Sequence, residues 1–525
     1  MPFRYGDGTL YGSGATYGAY LSTTRAVTFG FRVDWDNDGV LDGTNEVAYL
    51  DSSNTLQGRL LSWNIRVGRQ FVFKSSSDGF EHVAPGTLEV ELLDTDGRYD
   101  PYNTSSPLSG SLYKNQLVKF SVLSESTGTL YSAFTGYISN IKNVYGGAVQ
   151  KAIIYVDGAL TTLESESFSS IMVQDNTVDT IIGIALDSAD YPLSSDLDST
   201  VVDNVENHFF TQKSWGNSIH DLADSAFGVF YTDEDGTATY KSRVKTDIST
   251  QSITEDDIDY DYGVIAPAVR EVIKNSIKAY YYPQETGSSV LVWTLSETFP
   301  LNIGDSVSFW VKFESNGRQV GASSAPAFSG LITQNEDGSG SSSSSITDEF
   351  VIGTGSGFFV NYGYLTLTNT SAINGYLTSG TLTFTTGYYE PSGRKLFTLS
   401  EDDTSISEYG RRELILDLPY AQNNNLAQEI SDAILEKFKN PHIYPRFKFK
   451  RSDIDKQFTT PLFNLITVNF ASKGITGEFR AGYIERSWSI NDPNVIDSVY
   501  YLEPNLSVAA ASVWTFPMTF PTIFT

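Results

Sequence analysis

The spacing of apolar residues along the chain predicts mostly β-strands. In the segment AVTFGFRVDW, residues 26–35, an apolar side chain stands at every second position from Val27 to Trp35, which is the period of a strand with one buried face. The same alternation recurs in GTLEVELLD, QLVKFSVL, TLYSAFTGYISNI and AVQKAIIYVDG, and turn signals such as DTDGRYDPYN separate these stretches. We therefore predict a first β-rich domain, a barrel or a sandwich, over residues 26–165.

Helical spacing then interrupts the strands. Segments 177–190 and 217–227 carry apolar residues three and four positions apart, which indicates two short amphipathic helices. The second runs into GVFYTDEDGTATYKSR, where the Asp-Gly pair beginning at Asp235 favours a hairpin turn. Residues 166–275 are therefore predicted to form an α+β domain.

The second half of the chain contains an insertion followed by another β-rich part. Residues 285–395 have few charges and many Ser, Thr and Gly, with alternating stretches such as SVSFWVKF and GTLTFTTGYY, and we predict an inserted β-sandwich. Residues 396–503 return to strands and contain a predicted helix at 425–439, which Pro441 ends. The fold class is thus mainly β with α+β segments.

Both ends of the chain are predicted to be extended arms. Residues 1–25 repeat Tyr-Gly at even spacing, which places the rings on one face of an extended chain. Residues 504–525 are apolar, and Pro517 and Pro521 disfavour an interior strand because they lack backbone donors. The N-terminal arm either lies on a neighbouring subunit or is a disordered tail, and the C-terminal arm either docks on a partner or covers its own domain. The candidate partner-binding residues are Tyr5, Tyr11, Tyr17, Trp514, Phe516, Phe520 and Phe524.

Composition and charge restrict the classes of function. The 525 residues are too many for one hydrophobic core, and a hydrophobic content of 40% suffices for several domains. The net charge of −28 and the lack of a long basic cluster argue against specific nucleic-acid binding, and would let DNA pass without sticking. Cys is absent, so no disulfide or thiolate metal site can form. We expect neither a signal peptide nor a membrane span, since no suitable apolar run occurs.

The sequence DWDNDG, residues 34–39, resembles the start of a calcium loop. Four carboxylates fit the oxygen-ligand register of an EF-hand: Asp34, Asp36, Asp38 and Asp42. Position 12, which needs a bidentate Glu, is Asn45, and Glu46 follows one residue late. A calcium site therefore competes with a solvated Asp/Gly turn whose side chains cap backbone N–H groups, and the displaced Glu favours the turn. No other cofactor is expected.

Sequence motifs for catalysis are lacking. The four His residues stand far apart in different predicted elements, and neither H-E-x-x-H nor G-x-S-x-G occurs. Paired carboxylates could hydrolyse glycans, but the acidic runs EDDIDYDYG and TDEDG lie in predicted turns, where solvated charge is common. We therefore expect that the protein is not an enzyme.

Several stretches, taken in order, resemble the tail hub, also called baseplate hub or minor tail protein, of tailed bacteriophages and related injection systems. FRVDWDNDG, LLSWNIRVGRQ, APGTLEVELLDTDGRYDPYNTSSPLSGSLY and AFTGYISNI resemble the opening barrel of such proteins. The hairpin FYTDEDGTATYKSR with the helix before it resembles their α+β part. SISEYGRRELILDLPY, FKNPHIYPRFKF, YIERSWSI and YYLEP resemble their second half, and the insertion at 285–395 is the least covered part.

The resemblance implies two β-barrel hub domains and a structural role in the virion. It implies a homotrimeric ring at the tail tip or baseplate that joins a hexameric tail tube to a threefold tip and lets DNA pass during ejection, after assembly in the host cytoplasm. The implied partners are a distal tail or tail-tube protein, a tape measure protein, and a central fibre or tip protein. Members of this family have the acidic turn after the first strand without requiring a metal.

Two other functions remain open from the sequence. The aromatic-rich sandwich suggests a carbohydrate-binding or glycan-cleaving tail component, in which Tyr and Trp would hold sugars. A distal tail ring protein is the other alternative. Assembly separates them, because a hub is a trimer coaxial with the tube, a distal ring is a hexamer, and a receptor binder projects sideways.

Overall fold

The structure is a computed structural model, and its many strands and few helices confirm the mainly β class with α+β segments. It describes residues 4–5, 9–10, 27–39, 41, 47–49, 60–69, 83–145, 150–164, 167–168, 173–199, 204–208, 213–242, 251–265, 273–315, 318–322, 327–352, 355–356, 362–379, 383–391 and 395–505.

The first β-rich part contains strands whose side chains alternate between a buried face and a more exposed one. In LVKFSVLS, for example, Val118, Phe120 and Val122 are all fully buried and the residues between them are not. The strands are β1 (Arg4–Tyr5), β2 (Thr9–Leu10), β3 (Val27–Val33), β4 (Val47–Tyr49), β5 (Leu60–Gly68), β6 (Thr87–Leu93), β7 (Leu117–Ser124), β8 (Thr129–Val144) and β9 (Lys151–Gly158).

The next part mixes short helices and strands, as the sequence predicts. Both predicted helices are present, and the side chain of Ser214 caps the second by accepting a hydrogen bond from the Asn217 amide at 3.3 Å. The elements are α1 (Thr161–Glu164), β10 (Ser167–Phe168), β11 (Val173–Thr177), α2 (Val178–Ser188), β12 (Ser195–Leu197), β13 (Asn204–His208), β14 (Lys213–Ser214), α3 (Trp215–Ser225), β15 (Val229–Thr232), β16 (Ala238–Lys241), β17 (Gln251–Thr254), β18 (Val264–Ile265) and β19 (Ser276–Tyr281), with a 3₁₀ turn at Glu255–Asp257.

The inserted part consists of short sheets around a core of its own, to which Val311, Leu365 and Leu377 belong. Its strands are β20 (Gln284–Thr294), β21 (Phe299–Leu301), β22 (Ser306–Lys312), β23 (Glu314–Ser315), β24 (Arg318–Gln319), β25 (Gly321–Ala322), β26 (Ala327–Ser329), β27 (Ile332–Thr333), β28 (Ser342–Ser343), β29 (Ile346–Ile352), β30 (Gly355–Ser356), β31 (Tyr362–Asn369), β32 (Gly375–Leu377) and β33 (Thr383–Pro391).

The last part contains the longest helix and the strands that complete the largest sheet. The helix predicted at 425–439 spans Asn424–Phe438, and the side chain of Asn423 caps it by accepting from the Leu426 amide at 2.8 Å. The elements are β34 (Leu396–Glu401), α4 (Asp403–Tyr409), β35 (Glu413–Leu418), α5 (Asn424–Phe438), β36 (Arg446–Lys448), α6 (Ile454–Phe458), β37 (Leu465–Phe470), β38 (Ile475–Ser489) and β39 (Asp497–Pro504), with a 3₁₀ turn at Ala471–Lys473.

One sheet of thirteen strands runs through both β-rich parts. Its main path is β18-β36-β39-β38-β5-β6-β9-β8-β7-β3-β4, and β37 pairs with β38 and β17. Strands β5 and β38 join the two parts in antiparallel register, from Gly68 opposite Tyr483 to Ser62 opposite Ser489. We call this pairing the seam.

The seam changes the expected picture of two separate barrels. Within the described residues no sheet closes on itself, since β5 pairs with β38 along one edge and with β6 along the other. Closing the first β-rich part would require the edge of β5 that β38 occupies. The two parts therefore form one continuous sheet in place of two closed ones.

Side chains from the second part also complete the hydrophobic core of the first. Trp488 of β38 packs edge-on against Phe29 of β3, with ring centroids 4.7 Å apart, and Ile454 and Phe458 of α6 belong to the same core. Phe29 also packs against Trp63 of the seam at 5.7 Å. Because these aromatic contacts bury large apolar areas, the first part depends on the second for its stability.

Gly68 lets the seam strands approach each other at one end, where Gly482 of β38 also lies close to β39. The Arg69 amide donates to the Gly482 carbonyl at 2.9 Å, and Gly68 has a φ of +92°. A Cβ on Gly68 would lie 2.2 Å from that carbonyl oxygen, and a Cβ on Gly482 would lie 2.3 Å from a carboxylate oxygen of Glu503. Gly68 is therefore required by its close contact with backbone and by its backbone conformation, whereas Gly482 is restricted by the Glu503 side chain of β39.

Replacing Gly68 by Ala should open this end of the seam and lower the melting temperature. The control is Gly263→Ala, since Gly263 has a similar φ of +65° with no atom within 4 Å of a Cβ. The control variant should lose about 1–2 kcal/mol from backbone strain alone, and Gly68→Ala should lose clearly more. Equal melting temperatures for the two variants in calorimetry would contradict the close approach.

Candidate assembly site at the seam

Arg486 is the most deeply buried charged side chain of the seam. Strand β38 places it on the inward face between Ile484 and Trp488, and it is 1% exposed. Its Nη2 donates to the Gln457 carbonyl at 3.0 Å and to the Tyr500 hydroxyl at 2.8 Å. Its guanidinium also lies over the ring of Phe458, 4.6 Å from the centroid. These contacts tie β38 to α6 and β39.

Glu234 brings the α+β part to the same point. It stands in the turn between β15 and β16, where the Asp233 carboxylate accepts from the amides of Asp235 at 3.0 Å and Thr237 at 2.8 Å. The Glu234 carbonyl accepts from the Thr135 hydroxyl of β8 at 3.0 Å, and its carboxylate lies 3.8 Å from Arg486 Nη1. Three parts of the chain therefore meet at one turn.

Burial of Glu234 makes ionisation of its carboxyl group energetically unfavourable. The side chain is 14% exposed. Burial raises the pKa of Glu234, and the positive charge of Arg486 opposes that rise. The separation of 3.8 Å is longer than a hydrogen bond, so the interaction is an ion pair at contact distance that partly offsets desolvation.

A second group of buried charges lies at the glycine end of the seam, and we call it the charge cluster: Arg69, Lys437, Arg480 and Glu503. Arg69 Nε is 3.6 Å from a Glu503 carboxylate oxygen, and both side chains are about 5% exposed or less. Arg480 pairs with Glu503 across β38 and β39, and its Nη1 donates to the Phe463 carbonyl at 3.1 Å. Burial raises the pKa of Glu503, while Arg69 and Arg480 oppose the rise.

Lys437 adds a third basic side chain beside the single carboxylate of the charge cluster. Its aliphatic stem is partly exposed, but its Nζ is shielded from solvent and lies over the ring of Phe227, 5.1 Å from the centroid. Burial and the charge of Arg480 hold the pKa of Lys437 well below its ordinary value, and Glu503 opposes this. Burial therefore makes protonation of this amine less favourable in the folded chain than in the unfolded chain.

The outward face of the seam is polar and its charges are paired. Arg66 and Glu485 pair across the seam at 3.6 Å. Elsewhere on the same sheet, ion pairs join Lys151 of β9 with Glu91 of β6 and Lys448 of β36 with Asp497 of β39, each at 2.7 Å, and Arg451 of the turn after β36 pairs with Asp492 and Asp497 at 2.7 Å each. A cavity of about 340 Å³ opens here, and Ser62, Asn64 and Ser487 of the seam strands are among its lining residues. Such a surface offers many hydrogen-bonding groups and little net charge, which suits contact with another protein surface.

The acidic turn after β3 brings three of its four predicted residues together. One carboxylate oxygen from each of Asp34, Asp36 and Asp38 lies within 4.8 Å of the others. The buried Asp34 carboxylate accepts from the amides of Asp38 at 3.1 Å and Gly39 at 2.8 Å, and Asp36 and Asp38 are exposed. Asp42 lies outside the described residues. The geometry is that of a capped turn with two solvated carboxylates, and calcium binding there stays a hypothesis.

The predicted arm residues fall almost wholly outside the described part of the chain. Tyr5 lies in β1, which pairs with β2. The other six are not described: Tyr11, Tyr17, Trp514, Phe516, Phe520 and Phe524. Partner binding by both arms therefore stays a prediction.

Sequence reasoning missed the buried charges at the seam. The signal for Arg486 was present, because strand alternation places it on the same face as the apolar Ile484 and Trp488. Glu234 gave no such signal, since TDEDG reads as an ordinary solvated turn and only the contact with β8 buries it. Lys437 likewise gave no signal, because its position in α5 lies outside the apolar stripe and so predicts an exposed side chain.

Comparison with known proteins shows a shared fold and no detectable sequence relationship. No protein-family model matches the chain, and no curated protein matches it. Its fold is similar to that of a tail protein from Neisseria meningitidis, with a TM-score of 0.50 and 8% identity over 92% of this chain and 98% of the other. Two further similar structures are the 43 kDa tail protein of a Shewanella oneidensis prophage and a prophage tail protein from Listeria monocytogenes. The first gives a TM-score of 0.48 at 9% identity over 92% and 99% of the two chains, and the second 0.42 at 8% over 90% and 94%.

The similarity confirms the fold resemblance to tail proteins that the sequence predicts. Within the described residues, no helix has the length and apolar character needed to cross a bilayer.

Replacing Arg486 by Ala should destabilise the protein strongly. The variant leaves the Glu234 carboxylate and the Tyr500 hydroxyl without their cation, and breaking a buried pair costs about 3–5 kcal/mol. The control is Arg66→Ala, which removes an Arg–Glu pair on the exposed side of the same sheet and should cost about 0–1 kcal/mol. Thermal and urea unfolding of both variants test this, and similar losses would show that the buried contacts contribute little.

Replacing Lys437 by Met should remove a pH dependence of stability. Because the folded pKa of Lys437 lies below its unfolded value of 10.5, the unfolded chain binds more protons between the two values, and the free energy of unfolding rises with pH across that window. The Met variant should be more stable than the parent at neutral pH, with a difference that shrinks toward pH 10.

The control for this experiment is Lys439→Met. Lys439 pairs with Glu436 at 2.7 Å, and that pairing raises its pKa, so its removal should cost stability slightly at neutral pH. Calorimetry at several pH values gives the parent-minus-variant difference. The same sign for both variants would contradict the buried position of the Lys437 amine.

Proposed function

We propose that the chain is a structural protein of a bacteriophage tail or a related injection system and acts as the hub at the tail tip or baseplate. The observation that carries the proposal is the fold likeness to the N. meningitidis tail protein over nearly the full length of both chains. A likeness of that extent includes both β-rich parts and the α+β part between them. The proposal includes a location in the virion and no catalytic activity.

The proposed assembly is a homotrimer that joins a hexameric tail tube to a threefold tip. A chain with two β-rich parts can present six such parts from three copies, which matches the number of subunits in a tube ring. The seam supports this arrangement because it fixes the two parts in one sheet through hydrogen-bonded register over seven residue pairs. The paired charges of the large sheet, at the seam and between β6 and β9, suit contact with the tube or a neighbouring subunit.

The proposed passage of DNA rests on charge. The chain carries a net charge of −28, and exposed carboxylates concentrate in turns, as at Asp36, Asp38, Asp256, Asp261 and Asp337. A lumen lined by such turns would repel the phosphate backbone and keep DNA from binding to the wall. Calcium at the turn after β3 is not needed for this role.

The proposed partners are a distal tail or tail-tube protein, a tape measure protein, and a central fibre or tip protein. The aromatic residues of the two arms would supply part of these contacts, since an extended apolar segment gains stability when it enters a groove on another subunit. The arms would thus act in assembly and would contribute little to the fold of the isolated chain.

The trimer is the testable part of the proposal. Native mass spectrometry of the full chain, 57.8 kDa, should show a species of three copies, and imaging of the particle tip should show three copies around the tail axis. A variant that lacks residues 506–525 should keep its melting temperature and enter particles less efficiently. Six copies around the axis would indicate a distal ring protein, and a single lateral copy would indicate a receptor-binding protein.

A further inference from the structure

The inserted part of the chain exposes a cluster of three aromatic rings, and we call it the aromatic platform: Trp310, Tyr362 and Tyr364. Trp310 is 60% exposed, which is high for the largest apolar side chain, and the two Tyr residues are half-buried. None of the three contributes to the contacts at the seam. Their position therefore calls for a role of its own.

Strand register builds the platform. Antiparallel β22 and β31 place Trp310 opposite Tyr364 and Lys312 opposite Tyr362 on the outward face. The Trp310 ring lies 5.0 Å from Tyr364 at 56° and 5.5 Å from Tyr362 at 63°. Inclined ring pairs at these distances are favourable, so the two Tyr rings hold the indole in place while most of it stays open to solvent.

The platform is anchored by the opposite face of the same strands. Val311 and Leu365, the neighbours of Trp310 and Tyr364 in sequence, are fully buried in the core of the inserted part. Side chains of successive strand residues point to opposite faces. The exposure of Trp310 therefore follows from a fixed register, and the core cannot take up the indole without losing Val311 and Leu365.

Hydroxyl groups continue the platform along the same two strands. Ser308 and Thr366 lie 2.9 Å apart, and Ser306 and Thr368 lie 2.7 Å apart, with either hydroxyl of each pair able to donate. From Ser306 to Lys312 the strip is about 20 Å long at the usual rise of a strand. One end thus offers an aromatic face, and the other offers groups that both donate and accept hydrogen bonds.

Charge along the strip disfavours charged ligands. Lys312 pairs with Glu314 at 2.8 Å, so its charge is compensated. The net charge of −28 for the whole chain repels nucleic acids and anionic polysaccharides. Among the side chains that the structure describes on this strip, the apolar area is confined to three rings, which is small beside the roughly 800 Å² per partner that a stable protein interface buries.

We propose that the aromatic platform binds a neutral oligosaccharide. A sugar ring has an apolar face of C–H groups that packs on the negative face of an indole, and its hydroxyls both donate and accept, as do those of Ser308 and Thr366. Trp310 supplies the stacking surface, Tyr362 and Tyr364 orient it, and the hydroxyl pairs bind the next sugar unit along the strip. This activity is separate from the proposed hub role, because it resides wholly in the inserted part.

The test is titration of the full chain with three neutral hexasaccharides, built respectively from α-linked glucose, β-linked glucose and β-linked N-acetylglucosamine. Isothermal titration calorimetry should detect binding of at least one. Trp310→Ala should weaken that binding about tenfold or more, and Ser308→Ala should weaken it by a few-fold, as expected for loss of one stacking contact and one hydrogen bond. Trp310→Phe should retain part of the affinity because a ring remains.

The matched control is Tyr260→Ala, which removes an aromatic side chain that is 95% exposed in a turn outside the inserted part, and it should bind as the parent does. Circular dichroism and melting temperature verify that each variant folds. Failure of all three sugars to bind at millimolar concentration, or equal binding by Trp310→Ala, would overturn the proposal. Self-association that depends on Trp310, detected by analytical ultracentrifugation, would assign the platform to contact between copies and would also overturn it. None of these measurements needs an assembled particle, so their outcome is independent of the trimer test.

Discussion

Backbone pairing between β5 and β38 is the constraint on which the rest of the large sheet depends. The pairing covers seven residue pairs from Gly68 and Tyr483 to Ser62 and Ser489. It gives β5 its second partner, places Trp488 in the core of the first β-rich part, and brings Arg486 within reach of the α+β part. A strand edge left unpaired here would expose both backbone groups and aromatic side chains to water. The two β-rich parts are therefore one structural unit, and their relative orientation follows from strand register.

Buried charges make the alignment of β38 with α6 and β39 specific. An apolar residue in place of Arg486 could fill similar space at lower desolvation cost, since buried ion pairs contribute little net stability compared with well-packed apolar groups. An apolar contact, however, tolerates sliding, whereas the Arg486 guanidinium satisfies the Gln457 carbonyl and the Tyr500 hydroxyl only in one alignment. The charge cluster acts in the same way at the glycine end, where Arg480 and Glu503 stand opposite each other across β38 and β39. A shift of β38 by one residue against β39 would separate Arg480 from Glu503 and turn the side chains of β38 to the opposite face of the sheet.

Local patterns in the sequence predict the individual strands and helices. The pairing of distant strands could not be predicted in this way, because it depends on contacts between segments far apart in the chain. Alternation in AVTFGFRVDW predicts β3, and the apolar stripe at 425–439 predicts α5 to within a residue of its observed ends. The pairing of β5 with β38 joins distant segments whose alternation is equally compatible with other partners, so two closed barrels were as consistent with the pattern as one continuous sheet. At the candidate site, the position of Arg486 between apolar residues carries a signal of burial that the sequence analysis did not use. Glu234 carries no such signal, because it lies in a turn whose solvation depends on a strand from another part of the chain.

The seam can form only late in translation, because β38 is synthesised long after β5. When β5 leaves the ribosome, its second partner has not been made, and at a translation rate of about 5–20 residues per second several hundred further residues take roughly 20 to 80 s. During that interval the edge of β5, Trp63 and the core position of Trp488 stay uncovered, which is the state in which nascent β-proteins aggregate or require chaperones. A chain that terminates before β38 cannot cover them later. Only a chain translated through β38 can therefore complete the sheet and cover the edge of β5.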